Sequence, residues 1–358
     1  MNFPLKLDKM YVSIFQYGIL PLALIFRYPP GENMDKNGFQ KMLEGRNVPA
    51  EKIPAAIALA ERFEDYILST GEGFTPQVAW DFSKILITED LNYEENFITL
   101  ARYGIFIKSN PIYVAFLESL DGGEAQENLY NHVNKQYGEA LLEEVFEGIG
   151  VVPFGTPTPE KPGYMHPVIE RLEQAIGSEA TRILLADSLR DLPDAYYQQD
   201  RELFYSCQDI DEYLIKKKAI FVQQLETCQG EGRLFFAQEI TDEVLDYVRN
   251  TPEMGAGVRE GNIIYETKIP FLTKEYLAEE DQQLKRYYYC HCPWAREAVK
   301  SGGKVAPIFC NCSAGFHKKP WEVIFEQPIH VDVLESVLKG DDRCRFGIHL
   351  PSHSTIPT

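Results

Sequence analysis

Two C-x-C pairs, Cys290-His291-Cys292 and Cys310-Asn311-Cys312, stand 17 residues apart and constrain this chain more than any other feature. Four thiols so arranged must either converge on one site or be buried separately. In an extended segment the side chains at i and i+2 leave the same face, so each pair would present two thiols together. The surrounding residues are aromatic and β-branched, and we read Lys285 to Cys292 and Pro307 to Cys312 as strands. An odd total of seven cysteines, clustered rather than spread as a framework, fits a reducing compartment. It points to metal or thiol chemistry in the cytoplasm.

The chain has 358 residues, 44% of them hydrophobic, enough for roughly two domains with real cores. Its net charge of −19 opposes non-specific attraction to nucleic acid and to anionic membranes. Residues 10–26 are uncharged and follow Lys6 and Lys9, as a leader might be, but Asp8, Gln16 and Pro21 interrupt that pattern. The expectation there is a buried helix or docking surface rather than a membrane segment. The residues fix no oligomeric state, and a homodimer is allowed.

Apolar residues recur at helical spacing through the first 150 residues. Ile53, Ile57, Ala60, Phe63 and Ile67 make one stripe, and the 95–120 and 127–146 segments repeat the pattern. Prolines 153, 157, 159, 162 and 167 then suggest an extended linker over 151–167. Beyond it, 168–192 and 210–228 read as helices, the second with Ile210, Leu214, Phe221 and Leu225 on one face. Strand signals follow at 262–269, 285–292, 307–312, 330–338 and 343–350. The fold class is therefore α+β: a helical domain over 1–150, a proline-rich linker over 151–167, and an antiparallel sheet flanked by helices over 168–358. The last two strands read as a hairpin around Lys339-Gly340-Asp341-Asp342, with Cys344, Phe346 and Ile348 on one face.

Four thiolates suit zinc, and iron–sulfur clusters use the same ligand inventory, while separately buried core thiols are the competing reading. The metal candidates are Cys290, Cys292, Cys310 and Cys312, with His317 five residues beyond the second pair. Pro293 is suited to open a helix ending at Gly302-Gly303, which would put Cys292 at a helix N-terminus and favour its thiolate. Tyr289, Trp294, Phe309, Phe316 and Trp321 are candidate walls of a small-molecule pocket, or plain core.

The strings CHCPWAREAV and FCNCSAGFHKKPWEVIFEQPIHVDVLESVLKGDDRCRFGIHLP resemble the ends of 4-vinyl-reductase-like small-molecule-binding domains and of L-2-amino-thiazoline-4-carboxylic acid hydrolase-like proteins. The likeness rests on Glu335, Gly340, Asp341, Cys344 and Phe346 in the hairpin, and covers about the last 70 residues. It implies an α/β ligand-binding fold. In some vinyl-reductase-like domains a zinc-binding cysteine precedes the hairpin cysteine by eight positions; here Ser336 stands there.

Three functions follow. One is a small-molecule-binding module in which a thiolate-held metal, zinc in the first place and an iron–sulfur cluster as the alternative, fixes a pocket wall. The second is a metal-assisted hydrolase opening a small C–N ring, with Glu335 or Glu322 managing protons. Thiol redox chemistry at Cys292 is the third, for which C-x-C lacks the usual C-x-x-C spacing.

Overall fold

A computed structural model describes residues 34–120, 124–188 and 193–351. The expectation for residues 10–26 lies outside them. Five helices come first: α1 (Lys36–Gly45), α2 (Ile53–Thr70), α3 (Pro76–Thr88), α4 (Glu94–Phe106) and α5 (Asn110–Leu120). Four of the five residues of the predicted α2 stripe are buried, Ile53, Ala60, Phe63 and Ile67; Ile57 is half-buried and Ala56 lies inside instead. Asp35 and Thr75 cap α1 and α3 by accepting hydrogen bonds from Gly38 N and Val78 N, which satisfies otherwise orphaned amides. Gly104 lets α4 approach α5, since a Cβ there would meet Tyr113 N at 2.6 Å. The facing apolar stripes form a first core that also takes in Ala237 and Phe271.

Next come α6 (Ala125–Tyr137), α7 (Glu139–Phe146) and the long α8 (Lys161–Ser188), which breaks at Gly177, φ 81°. The proline-rich segment is shorter and more embedded than an extended spacer. Pro162 falls in the first turn of α8, where a missing amide costs nothing, and Thr156, Thr158 and Lys161 are buried. Side chains from both sides of 151–167 share one interior: Leu129, Val145, Val168 and Leu172 pack with Trp294 and Phe309.

The remaining helices are α9 (Gln198–Tyr205), α10 (Ile210–Gly230), α11 (Asp242–Arg249), α12 (Thr273–Ala278), α13 (Gln282–Tyr289), α14 (Arg296–Ser301) and α15 (Asn311–Phe325). With them stands one four-stranded antiparallel sheet, β1 (Val258–Glu260), β2 (Ile263–Thr267), β3 (His330–Glu335) and β4 (Arg345–His349), in the order β1-β2-β4-β3. The architecture is α+β.

Two of the expected strands are helical instead. Residues 285–289 belong to α13, because Asp281 caps it by accepting from Gln283 N and Leu284 N. Pro307 opens a 3-10 turn that runs into α15, which occupies the second C-x-C pair. Aromatic runs carry strand propensity, but local caps and prolines decided the backbone here. Strand β1 carried too weak a pattern in three residues to be read. The last hairpin forms with Val331 opposite Ile348 and Val333 opposite Phe346. A register shift between Val333 and Glu335 takes Glu335 off the buried face, where it pairs with Arg343 through two 2.9 Å contacts.

Candidate metal centre

The thiols come together without the strands expected to present them. Cys290 is the C-cap of α13, and its amide donates to Arg286 O. Two residues on, the carbonyl of Cys292 accepts from Ala295 N and Arg296 N and so closes the turn that enters α14. Cys310 ends the 3-10 turn as the N-cap of α15, and Cys312 lies in that helix's first turn. Cys292 and Cys312 are hydrogen-bonded to one another, so the two pairs meet. Cys344, just before β4, lies near them and interacts electrostatically with both Cys290 and Cys310. All seven cysteines are free thiols.

Electrostatics within this group favour neutral thiols in the absence of a cation. Its hydrogen bond to Cys312, and then burial, hold Cys292 well above the ordinary thiol range. Burial pushes Cys290 up to about 12 and raises Cys310 and Cys344 as well. The thiolate expected at Cys292 from a helix dipole is therefore not favoured: α14 has only six residues, and its field does not offset burial among other sulfurs. Five soft donors near one another are of the type a thiophilic metal takes, and such an ion's charge would reverse this balance by deprotonating its ligands. Among the described residues no three of these sulfurs lie mutually within 4.8 Å, so the thiols are neighbours rather than a formed coordination sphere.

Ser336 sits fully buried beside this group, with its hydroxyl hydrogen-bonded to Cys310 and accepting from Lys339 N at 3.3 Å. A thiol from another element thus comes to this serine. Asp341 locks the turn by accepting from Ser336 N at 2.8 Å.

Lys268, just past β2, borders the thiols. Its Nζ donates to Ser313 Oγ at 3.1 Å and lies 5.8 and 5.9 Å from the ring centroids of Phe316 and Phe346. Among the described residues it makes no ion pair within 4.0 Å. On the buried face of the sheet, His317 Nδ1 meets Glu266 at 2.9 Å and the imidazole stacks on Phe346 at 4.0 Å. Burial alone would raise Glu266, but His317, Lys217 and Lys268 outweigh it and hold its carboxyl below the usual range. His317 thus contacts Glu266 and Phe346. His291, between two of the thiols, is anchored by Ile269 O at 2.7 Å, and burial lowers it to about 3, so the ring is neutral.

The aromatic candidates divide among three interiors. Trp294 and Phe309 belong to the core beneath α8, Trp321 packs with Phe204 and Tyr213, and Tyr289 lies with Cys290 and Val337. Phe316 and Tyr289 flank Lys268, whose carbonyl accepts from the Tyr289 hydroxyl. Glu322 accepts from Ile329 N and pairs with Lys318 at 3.1 Å, so it ties the end of α15 to β3. Gly315 admits the carbonyl of Ala186 from α8, which a Cβ would meet at 2.4 Å; the close neighbour there is a helix.

Sequence reasoning missed two groupings. Glu118 of α5 and Arg296 of α14 form an ion pair, both side chains about 95% buried, and Arg296 is sandwiched at 4.5 and 4.7 Å from the rings of Phe271 and Tyr287. Nothing in either local pattern announces that pairing. The other is His330, Asp332 and His349 on the exposed sheet face, which a register argument would have found: His330 and Asp332 are two apart on one strand, and His349 lies opposite His330.

Residues 272–355 are similar to a family of unknown function (DUF6144). No curated protein and no solved structure matches the chain. No described helix is long and apolar enough to cross a membrane.

Proposed function

We propose that this protein binds a small molecule next to a metal centre held by the thiolates of Cys290, Cys292, Cys310 and Cys312. The observation that carries the reading is the approach of both C-x-C pairs, with Cys344, in one part-buried group drawn from separate elements. Lys268 supports the ligand half: its ammonium makes no ion pair within 4.0 Å among the described residues, acts on Glu266 at longer range, and is framed by Phe316 and Phe346, a setting that suits a small anionic ligand. The likeness to 4-vinyl-reductase-like domains points the same way.

One observation favours iron–sulfur over zinc. Among the described residues, the group of three or more ligand atoms lying mutually within 4.8 Å is His330, Asp332 and His349, not a set of thiols. A single zinc with Zn–S near 2.3 Å would draw its four sulfurs to about 3.8 Å from one another. A four-iron cluster binds each thiolate to a different iron and accommodates wider spacing. Bound there, either group would supply structural cross-linking, and the cluster would add one-electron chemistry.

The hydrolase alternative needs a carboxylate free to move protons. Glu335 is held below the usual range by its Arg343 hydrogen bonds, and Glu322 is engaged with Lys318 and the Ile329 amide. Binding is therefore the better-supported reading. Metal and acid-labile sulfide analysis of anaerobically purified protein tests it, alongside Cys290→Ser and Cys310→Ser. Iron with sulfide, lost in both variants, is the expected result; zinc lost in both would keep the centre and change the metal. Metal-free parent protein, or metal retained in either variant once His330 and His349 are also replaced by alanine, would refute the shared site.

A further inference from the structure

A second cluster of metal-ligating side chains lies on the opposite face of the same sheet, outside the thiol group. His330 and His349 are directly paired across β3 and β4, and Asp332 is the next residue on that face. Gly347 opposes Asp332, so no side chain on β4 crowds the carboxylate. The Nε2 atoms of His330 and His349 lie 2.9 and 2.8 Å from the two carboxylate oxygens of Asp332, and the imidazole centroids are 4.9 Å apart. One ligand atom from each residue falls within 4.8 Å of the other two. All three side chains remain between 39% and 48% exposed.

We infer that His330, Asp332 and His349 form a three-ligand site for a divalent first-row transition ion such as zinc, nickel or copper. Two imidazoles and one carboxylate suit those ions by ligand type. Metal–nitrogen bonds of 2.0–2.1 Å place neighbouring ligand atoms about 3.0 Å apart in an octahedron and about 3.4 Å in a tetrahedron. The nitrogen–oxygen separations here match that scale without strand movement. In the metal-free form each Nε2 proton is donated to Asp332. Binding moves that proton to Nδ1 of a neutral ring, or to solvent from an imidazolium, and turns the Nε2 lone pair toward the ion. Backbone pairing fixes the spacing, so little ordering entropy opposes binding.

The nearest charges on the packed side belong to α8: Glu179 interacts with His330, and Arg182 interacts with Asp332 while pairing with Glu179. The pair largely cancels and leaves the site's own carboxylate to set its sign. With three protein ligands on one side and solvent on the other, the remaining positions are open to water or to a ligand's donor atoms. The site stands apart from the thiol centre and does not depend on it.

Calorimetric titration of the full-length protein with Ni2+ tests this, using the parent, His330→Ala/His349→Ala, Asp332→Ala, and Cys290→Ser/Cys310→Ser. These three side chains are about half exposed, so their replacement should leave the fold intact, checked by circular dichroism. The expected result is one equivalent of Ni2+ bound by the parent and by the cysteine variant, with affinity at least about tenfold weaker in the other two. Unchanged affinity in the double histidine variant would overturn the inference. So would loss of the Ni2+ equivalent in the cysteine variant alone, which would place the ion at the thiols.

Discussion

The bundle of α1–α5 and the sheet-and-helix layer from β1 onward bury their interiors by different means. In the bundle, aromatic rings fill space: Phe39 meets Tyr103 at 5.3 Å, Phe63 meets Phe82 at 4.9 Å and Phe116 at 5.2 Å, mostly tilted or edge-on. The C-terminal layer buries thiols, Glu266 with His317, and Arg296 facing Glu118 across to the bundle. Apolar interiors are paid for by volume and tolerate exchange of like for like; polar interiors depend on each group finding its one partner. The same substitution size should therefore cost more in the second region, and differently.

The sharpest way to break that contrast is at the seam. Arg296→Met leaves the Glu118 carboxylate buried without its cation and should cost about 3–5 kcal/mol in urea unfolding. Adding Glu118→Gln should restore much of the loss; a double variant no more stable than the single one would mean that Arg296 acts through ring packing instead. Within the bundle, Phe63→Leu should cost about 1–2 kcal/mol with metal content unchanged, because only volume is lost. Metal loss in that variant would contradict the independence of the two interiors. The smallest effect belongs to the exposed hairpin pair, where Arg343→Ala should cost at most about 1 kcal/mol.

Acid sharpens the comparison further. Hydrogen bonds from Arg343 and Arg345 hold Glu335 and Glu253 below the ordinary carboxylate range. The unfolded chain takes up those protons first, so their contribution is full above the unfolded value, near 4.3, and is lost as pH falls below it. Urea midpoints measured from pH 7 to pH 3 should fall in that window, and Arg343→Ala should flatten part of the fall.

What was legible in the sequence follows the same division. The α2 stripe and the β3–β4 hairpin were readable because one period fixes one buried face, and Ile53, Phe63, Phe346 and Ile348 lie where that period puts them. The thiol segments were readable as a chemical group but not as structure: tyrosines 287–289 suggested a strand, while Asp281 and Pro307 imposed helices. Contacts such as Glu118 with Arg296, 178 residues apart, carry no local signature at all. The bulge that turns Glu335 outward is equally silent, since it depends on how β4 is met, not on the strand's own residues.

The thiols also stand at a junction. Cys292 and Cys312 border the interior under α8, Cys344 borders the one between the sheet and α15, and Cys290 lies in the small cluster around Tyr289 and Val337. An ion seated among them would act as a keystone for three packed regions, not as the clasp of one loop. Its departure would be felt along α8, in the sheet and around α13 together, giving the whole C-terminal layer a single melting event tied to metal supply.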